Sequence, residues 1–528
     1  MKNLSDLSLE EKIGQMVMCG FQGKEPSEEI FQFIDEQKIG GVIYFNRNIG
    51  TVQQVHRMSK QLQERSVAAS GIPMFIGIDQ EGGMVARITK GVTLMPGNMA
   101  FGAVDDADAV FHAAYTAGRE LKALGINMNF APSVDINNNP RNPVIGVRSF
   151  GDQPDRVSVL GIAAVHGYRE AGICGTLKHF PGHGDTAVDS HFDLPSIQHD
   201  RERMDLIELF PFKAAVKQGA DVVMTAHVVF ESIDPSGKPS TLSEGVITGL
   251  LRKELGFQGV VITDCMEMDA IAKGYGTVEA AVMAIEAGVD IVLVSHSCDR
   301  QRRVLEAIKS AVKGGIISEE RIDESVRRIL KLKRTRQLHW PMPEWEQAKN
   351  TLAAEASLKF AQDISERSIT IVKDDNHLLP LDRSKRTYVV SPEIRAINAA
   401  DETFKQKETI GYYLADMFGH LTESKLSIDL SSEDLEHLVD LSRSFEQVVV
   451  VTYNTAIFQK QAELVRRIHE ERRGNLVVVA ARNPFDFLDF PEVAAQVTSY
   501  ESRPLALRST AKVLAGLIPA RGKLPVII

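Results

Sequence analysis

Cysteine is scarce in this chain of 528 residues, and its four cysteines lie far apart with no Cys-x-x-Cys pair: Cys19, Cys174, Cys265 and Cys298. This spacing excludes a disulfide framework and a structural zinc site, and it predicts reduced, packed thiols. Long hydrophobic runs are also missing, since no segment approaches the roughly 18 apolar residues of a membrane span. The first twelve residues lack an apolar core of signal-peptide length. We therefore expect a cytoplasmic protein without a membrane partner.

Basic residues are not in excess either. The chain has 60 Lys and Arg against 70 Asp and Glu, a formal net charge of -10, and no basic tract. A mildly acidic surface argues against nucleic acid as a partner. With 44% apolar residues, the chain is long enough for at least two domains, one of which has room for a barrel of about 250 residues or more.

Short β-branched runs alternate with amphipathic helical patterns over the first two thirds of the chain. An N-terminal helix begins at a capping box formed by Ser8 and Glu11. Seven runs then have the continuous apolar character of buried parallel strands, at residues 41–45, 74–79, 127–131, 173–178, 221–227, 260–264 and 290–294. The repeated βα unit predicts an α/β fold of the (β/α)8 TIM-barrel type, either incomplete or with one irregular strand, because seven strands are evident. A doubly wound open sheet is the alternative.

The two tryptophans of the chain, Trp340 and Trp345, fall in one proline-containing segment that is typical of an interdomain linker. A second α/β pattern follows, with strands near 387–390, 448–452 and 476–481 and helices near 432–444, 456–473 and 504–517. It contains no glycine-rich phosphate loop, so we expect a structural or docking role. The predicted boundaries are 1–338 for the catalytic barrel domain, 339–379 for the linker with its connecting helix, and 380–528 for the C-terminal domain.

The stretch Lys178–His191 concentrates titratable side chains at the C-terminal end of a predicted strand. It holds three histidines, two aspartates and a lysine, together with two glycines that permit a close approach of the backbone to a ligand. Asp79, His227 and Asp264 end other predicted strands. Because the C-terminal ends of barrel strands meet at one rim, these side chains predict an active site; a solvated loop with incidental histidines is the alternative.

An Asp and a His stand two residues apart in this stretch, at Asp189 and His191. A carboxylate this close can fix the tautomer of the imidazole, which suits it to general acid/base work near neutral pH. Asp264, on another strand, faces the same rim and is the candidate nucleophile. A carboxylate and an acid/base on opposite sides of a glycosidic bond can carry out a double displacement through a covalent glycosyl-enzyme.

These residues resemble the signature of the NagZ-type β-N-acetylglucosaminidases of glycoside hydrolase family 3. Besides Lys178–Thr186 with Asp189 and His191, the segments Ile78–Gly83 with Arg87, Asn142–Phe150, and Thr263–Asp264 match family motifs in the family's order. The second half resembles the α/β/α sandwich domain of the two-domain members.

The resemblance implies a retaining, exo-acting β-N-acetylhexosaminidase that removes terminal N-acetylglucosamine from muropeptide fragments of peptidoglycan recycling or from chitin-type oligosaccharides, with no cofactor and no metal. It implies Asp264 as nucleophile, His191 as acid/base and Asp189 as its orienting partner. The residues implied in binding sugar hydroxyls are Asp79, Arg87, Arg148, Lys178 and His179. An alternative role for Arg148 and Lys178 is simply to pair with Asp79 and close the barrel top. Single-domain members lack residues 380–528, which we expect to stabilise the barrel.

Several other functions stay open at this stage. A metal-dependent barrel hydrolase would use His179, His183 and His191 with Asp189 or Asp264, although the spacing fits no established zinc pattern. A non-catalytic sugar-binding protein would need no nucleophile. Within the same chemistry, phosphate in place of water would make a glycoside phosphorylase, and a β-glucosidase of this family generally takes its acid/base from the second domain. The sequence does not predict the oligomeric state.

Overall fold

The computed structural model describes residues 1–338, 341–396, 401, 407–427, 430–472 and 474–528. Residues 339 and 340 of the predicted linker, and residue 473 at the end of a predicted helix, lie outside the described ranges. Within those ranges, no helix has the length and apolar character that crossing a membrane requires. All four cysteines are free thiols, and three of them are buried as predicted.

Eight parallel strands form the first domain: β1 Val17–Cys19, β2 Gly41–Tyr44, β3 Phe75–Ile78, β4 Met128–Asn129, β5 Cys174–Phe180, β6 Val222–Thr225, β7 Val260–Thr263 and β8 Val292–Val294. Each strand pairs with its neighbour in sequence, and β1 also pairs with β8. A parallel bridge between Ile262 and Ile291 joins β7 to β8. The sheet is therefore a barrel, as predicted, and the open-sheet alternative is wrong.

The strand missing from the prediction is β1. Only Met16 separates it from the helix Leu9–Gln15, whose capping box between Ser8 and Glu11 is present as expected. All three residues of β1 are fully buried. A run of three residues attached to an amphipathic helix has no periodicity of its own, so its pairing with β2 and β8 is decided by tertiary structure.

Helices surround the barrel strands at Leu9–Gln15, Glu28–Gln37, Val52–Ser70, Asn98–Val104, Ala107–Ala123, Pro154–Ala171, Arg201–Leu206, Phe210–Lys217, Asp269–Ala272, Thr277–Ala287, Cys298–Lys313 and Glu319–Thr335, with a π-helix at Gly245–Glu254. A separate helix, Arg201–Leu206, precedes the helix predicted at 206–218, which is present as the shorter Phe210–Lys217 with Pro211 in its first turn. Proline is accommodated there because the first-turn amides need no intrahelical partner.

Two short strand pairs lie in loops at the C-terminal rim of the barrel. Gln80–Gly82 pairs antiparallel with Val85–Ala86 directly after β3, and Ser196–Ile197 pairs parallel with Val229–Phe230. The first pair forms a tight turn in which Gly82 and Gly83 have positive φ angles of 97° and 53°. We call residues Gly82–Met84 the rim turn.

The second domain contains a six-stranded sheet: β9 Thr370–Asp374, β10 Thr387–Pro392, β11 Leu421–Leu426, β12 Gln447–Thr452, β13 Leu476–Ala480 and β14 Ala495–Thr498. The order is β9-β14-β13-β12-β10-β11, and β9 alone among these strands runs antiparallel to its neighbour. Its helices are Ile410–Ala415, Ser432–Ser442, Gln459–Glu471 and Pro504–Leu514. The helices Trp345–Ala348 and Glu355–Ser368 precede the sheet.

Side chains of alternate residues in the central strands pack into two separate hydrophobic cores. Val449 and Val477 pack with Ile410 and Leu507 on one face, whereas Val448 and Val478 pack with other helices on the opposite face. Helices on both faces of a mostly parallel sheet give the predicted α/β/α sandwich. The boundaries at 338 and 380 stay predictions, and β9 lies before residue 380.

Candidate active site

A cavity of about 220 Å³ opens at the C-terminal rim of the barrel. Seven of the eight predicted site residues line it: Asp79, Arg87, Arg148, Lys178, His179, His191 and Asp264. The eighth, Asp189, is buried and does not line the cavity, but it contacts the imidazole of His191, which does. The barrel therefore brings together groups from strands β3, β5 and β7 that are up to 185 positions apart in the chain, as the strand-end argument predicted.

Asp189 holds His191 by two contacts to one oxygen. Its Oδ1 lies 2.7 Å from His191 Nδ1 and accepts the backbone N–H of His191 at 2.9 Å. A carboxylate at Nδ1 keeps the proton on that nitrogen, so Nε2 is free to gain or lose one. Burial alone would raise the pKa of Asp189, but the His191 imidazole outweighs it and holds the pKa below its ordinary value.

The loop that carries His191 is tied to the segment after the candidate nucleophile. The carbonyl oxygen of His191 accepts the N–H of Asp269 at 3.4 Å, and that of Phe192 accepts the Lys273 ammonium at 3.5 Å. These long hydrogen bonds join the loops that follow β5 and β7. The acid/base candidate and the nucleophile candidate are thus linked across the cavity mouth.

Asp264 follows β7 directly. Its Oδ1 accepts the N–H of Cys265 at 2.7 Å. Burial would raise the pKa of Asp264, but the nearby imidazoles of His227 and His179 outweigh it and keep the pKa below the ordinary value. The side chain is therefore a carboxylate at neutral pH, which a nucleophile requires.

Five charged side chains line the same cavity, and we call them the ionic network: Asp79, Glu81, Arg87, Arg148 and Lys178. Glu81 accepts two hydrogen bonds from Arg148, at 2.7 and 3.0 Å, and pairs with Lys178 at 2.7 Å. Asp79 pairs with Lys178 at 3.1 Å and with Arg87 at 3.3 Å. Buried charges of both signs are stable here because each is paired.

The ionic network leaves one carboxylate better placed for a ligand than the other. Glu81 is 4% exposed and Asp79 17% exposed at the side chain. Despite burial, Arg148 and Lys178 lower the pKa of Glu81 to about 2, and Lys178 with Arg87 also hold the pKa of Asp79 below its ordinary value. Asp79 can accept from sugar hydroxyls while Glu81 is saturated by its cations.

Asp135 is a residue that the sequence argument did not single out. Its buried carboxylate accepts the backbone N–H groups of His179 and His183 at 3.1 and 2.7 Å and lies 2.7 Å from His179 Nδ1. These contacts orient the His179 ring, which lines the cavity. Burial raises the pKa of Asp135, but the His179 charge and hydrogen bond outweigh it and lower the pKa strongly.

His183 and His227 are buried histidines with positioning contacts. His183 Nδ1 and Nε2 lie 2.9 Å from the hydroxyls of Thr186 and Ser190, and burial together with the neighbouring His179 lowers its pKa to about 4. His227 Nε2 lies 3.0 Å from the Cys265 carbonyl, next to the candidate nucleophile.

Glu81 and Asp135 had a sequence signal that went unused. Both follow predicted strands within a few residues, at the same rim as Asp79 and Asp264. Glu81 also lies within the motif Ile78–Gly83 that carried the family resemblance. Polar residues just beyond a strand end, and not only at it, belong in the candidate set.

The histidines of the metal-hydrolase alternative do not form a cluster of metal ligands. His179 is held by Asp135 and His183 by two hydroxyls. Within the described parts of the chain, the group with metal-ligand proximity is a different one: Asp185, His199 and Glu208, with ligand atoms within 4.8 Å of one another. The Arg203 guanidinium already lies 3.5 Å from Asp185 and 3.4 Å from Glu208, so it supplies positive charge to this group.

The comparisons with known proteins agree with this geometry. Residues 8–332 match the family described as the glycosyl hydrolase family 3 N terminal domain. The chain is 34% identical to a β-hexosaminidase A of Pseudoalteromonas piscicida over 437 residues, covering 76% of this chain and 73% of the relative. It is 35% identical to a β-hexosaminidase of Xylella fastidiosa over 288 residues, covering 53% of this chain and 83% of the relative.

Among solved structures, a glycoside hydrolase family 3 β-N-acetylglucosaminidase from Paenibacillus sp. str. FPU-7 is similar over 99% of both chains, with a TM-score of 0.95 and 47% identity. This likeness includes the sandwich domain as well as the barrel. From the matched family region and this relationship over the full length, the chain belongs to glycoside hydrolase family 3.

Proposed function

We propose that the protein is a retaining, exo-acting β-N-acetylhexosaminidase that removes terminal N-acetylglucosamine through a covalent glycosyl-enzyme. The observation that carries the proposal is that Asp264 and His191 line the same small cavity as the ionic network. The proposal is supported by the relatives, which are named as β-hexosaminidases and as a β-N-acetylglucosaminidase. A cavity of about 220 Å³ lies just below the range of about 300–1,000 Å³ for pockets that take drug-sized ligands, which supports a site for one sugar unit.

In the first step, Asp264 attacks the anomeric carbon while His191 protonates the glycosidic oxygen. Because Oδ1 of Asp264 accepts from Cys265, we assign Oδ2 as the attacking oxygen. His191 donates from Nε2, since Nδ1 is held by Asp189. The Asp189 carboxylate stabilises the protonated imidazole before the transfer. The C–O bond to the leaving group breaks, and a glycosyl ester on Asp264 forms.

In the second step, His191 accepts a proton from water and the water oxygen attacks the anomeric carbon from the face that the leaving group vacated. Asp264 leaves as a carboxylate, and two inversions retain the configuration at the anomeric carbon. The low pKa of Asp264, which its neighbouring imidazoles maintain, makes it an adequate leaving group in this step.

The ionic network would bind the hydroxyls of the terminal sugar. Asp79 accepts from hydroxyls, while Arg87, Arg148 and Lys178 donate to their oxygens. His179, oriented by Asp135, donates or accepts at its free ring nitrogen. The pairing of Arg148 and Lys178 with Glu81 also closes the barrel top, so the structural and binding roles of these cations coexist.

For the natural substrate we propose small β-linked N-acetylhexosaminides, either muropeptide fragments or chitin-type oligosaccharides, in the cytoplasm. Four free thiols with no disulfide support a reducing compartment. Fractionation of cells, followed by detection of the protein in the cytosolic fraction, tests the location. Incubation with each class of oligosaccharide and analysis of the released sugar decides between the substrates.

The test of the activity compares hydrolysis of an aryl N-acetyl-β-glucosaminide with that of an aryl β-glucoside. We expect the wild type to prefer the first, and Asp264→Ala and His191→Ala to lose turnover while keeping the wild-type melting temperature. Retention of turnover by Asp264→Ala would refute the mechanism. A wild type that binds N-acetylglucosamine without hydrolysing any glycoside would indicate a sugar-binding protein instead.

Phosphorolysis is the second candidate because the assigned acid/base is an imidazole. A histidine repels an incoming phosphate less than a glutamate does. Products formed with and without inorganic phosphate distinguish the two reactions. Accumulation of the sugar 1-phosphate would identify a phosphorylase, and free N-acetylglucosamine in both cases identifies the hydrolase.

A further inference from the structure

In the sandwich domain, the loop that follows β14 contacts the rim turn, which begins directly after Glu81 of the ionic network. Two residues of this loop touch the rim turn, which lies at the barrel's C-terminal edge. The Arg503 guanidinium donates from Nε to the Gly83 carbonyl at 3.0 Å and from Nη2 to the Met84 carbonyl at 3.4 Å. Arg503 is 4% exposed. A buried guanidinium with two backbone acceptors on one turn fixes the path of that turn.

Glu501 holds the neighbouring backbone from the same side. Its Oε2 accepts the Gly97 N–H at 3.2 Å. A Cβ added at Gly83 would lie 2.6 Å from this oxygen and 2.7 Å from the Cα of Gly97. Gly83 is therefore required both by its φ of 53° and by the close approach of the sandwich domain.

Apolar packing crosses the same boundary. Met84 and Val147 of the barrel form one buried cluster with Phe485 and Tyr500 of the sandwich domain. Val147 immediately precedes Arg148, and Met84 lies three residues after Glu81. A small cavity is lined jointly by Glu81 and Arg148 of the barrel and by Tyr500 and Glu501 of the sandwich domain. Both members of the Glu81–Arg148 ion pair therefore lie close to groups of the sandwich domain.

We propose that Arg503 is a positioning residue for recognition of the terminal sugar: it holds the rim turn so that Glu81 stays bonded to Arg148 and Lys178. Glu81 binds Arg148 and takes the shorter of the two Lys178 contacts, 2.7 Å against 3.1 Å to Asp79, so Asp79 keeps acceptor capacity for sugar hydroxyls. If the rim turn shifts and Glu81 moves away, Lys178 and Arg148 pair more fully with Asp79, and the sugar competes with a stronger internal ion pair. The sandwich domain thereby acts on substrate binding and not on barrel stability alone. This inference rests on the proposed function of the ionic network in binding sugar.

The test measures kcat and KM of Arg503→Met on an aryl N-acetyl-β-glucosaminide. Contacts to sugar hydroxyls exist in both the bound substrate and the transition state, so their loss raises KM more than it lowers kcat. We expect KM to rise about tenfold and kcat to change by less than about threefold. Arg503→Lys keeps the charge but places its donors on one nitrogen, so it cannot reproduce the two-nitrogen contact with both carbonyls and should show a smaller rise in KM than Arg503→Met. It also decides the matter if Arg503→Met does not fold.

The matched control is Arg367→Met, which removes another long-range arginine contact. Arg367 pairs with Asp106, the N-cap of the helix Ala107–Ala123, at 2.9 Å. In the part of the chain that the structure describes, the ion pairs of Arg367 are with Asp106 and Asp363 and not with the rim turn. We expect it to change the melting temperature without changing KM. An unchanged KM in both Arg503 variants, or an equal rise in KM for Arg367→Met, would overturn the proposal.

A double-mutant cycle with Glu81→Gln tests the route of the effect. If Arg503 acts through Glu81, the rise in KM of the double variant will be clearly smaller than the product of the two single rises. If instead the two single rises in KM multiply in the double variant, Arg503 acts elsewhere and the proposed route through Glu81 is refuted.

Amide hydrogen exchange at residues 82–85 tests the position of the rim turn without measuring turnover. Faster exchange in Arg503→Met supports the proposal, and unchanged exchange contradicts it. Failure of the wild type to hydrolyse the substrate would instead count against the proposed function.

Discussion

Replacing Glu81 with glutamine removes one charge from the ionic network and leaves the shape of the side chain nearly unchanged. In the wild type, Arg148 and Lys178 lower the pKa of Glu81 to about 2 from an ordinary value of 4.5. That difference corresponds to about 3 kcal/mol of folding free energy at neutral pH. Breaking a buried ion pair by removing one partner costs about 3–5 kcal/mol in other proteins, which agrees with this magnitude.

The sign of the pH dependence follows from the direction of the shift. Because the pKa of Glu81 is lower in the folded state, its stabilisation is fully present above about pH 4.5 and is lost as the pH falls toward about 2. We therefore expect Glu81→Gln to lower the free energy of unfolding by about 3 kcal/mol at pH 7 and by about half as much at pH 3.

Urea unfolding followed by circular dichroism at the two pH values measures this difference. Glu306→Gln, at an exposed glutamate of the helix Cys298–Lys313, is the matched control and should change stability by less than about 0.5 kcal/mol. A Glu81→Gln variant as stable as the control at pH 7 would refute the reasoning. The same variant should raise KM at least about tenfold, because the freed cations would draw Asp79 away from the sugar.

Three further predictions concern groups around the cavity. Asp189→Asn should lower kcat by about 100-fold or more with little change in KM, because the amide cannot stabilise a protonated His191; steady-state kinetics with a kcat within about twofold of wild type would contradict this role. Burial lowers the pKa of His183 to about 4 from 6.5, so the wild type should lose about 3 kcal/mol of stability as the pH falls from about 6.5 to 4. In His183→Gln, the free energy of unfolding measured by urea titration should differ less between pH 7 and pH 4.5 than it does in the wild type. An equal difference in the two proteins would show that other groups cause the loss of stability. Exhaustive dialysis against a chelator should leave kcat/KM unchanged, since Arg203 supplies the cation to the nearby carboxylates; activity restored only by added divalent metal would favour the metal-dependent alternative.

The strand ends of the barrel were predictable because their pattern is local. An apolar run followed directly by Asp79, His227 or Asp264 places each polar side chain at the C-terminal end of a strand, and parallel strands bring these ends to one rim. The loop with Asp189 and His191 was predictable for the same reason, with two coupled groups only two positions apart. β1 was missed because three residues carry no period.

The pairing of these groups could not be predicted, because it depends on distances between loops. Both Glu81 and Asp79 follow β3 and line the cavity, yet Glu81 binds Arg148 and Lys178 with a side chain 4% exposed, whereas the side chain of Asp79 is 17% exposed. Asp135 was missed because it lies beyond its predicted strand and not at its end, and its contacts with His179 and His183 depend on how the loop after β4 packs against β5 and its loop. In the sandwich domain, the edge strand β11 was missed because its residues are only partly buried, which leaves mixed polar and apolar side chains.

The contacts of the rim turn with Glu501 and Arg503 also bear on biosynthesis. Glu501 and Gly97 are 404 positions apart, and Arg503 is 420 positions from Gly83. Contacts between such distant residues form late, because closing a long loop has to precede them. Once residues 1–332 have been synthesised, every side chain assigned to bond cleavage is therefore present, but Glu501 and Arg503, which hold the rim turn, are not. A nascent chain stopped before residue 501 would carry a complete set of reacting groups on an unfinished sugar pocket.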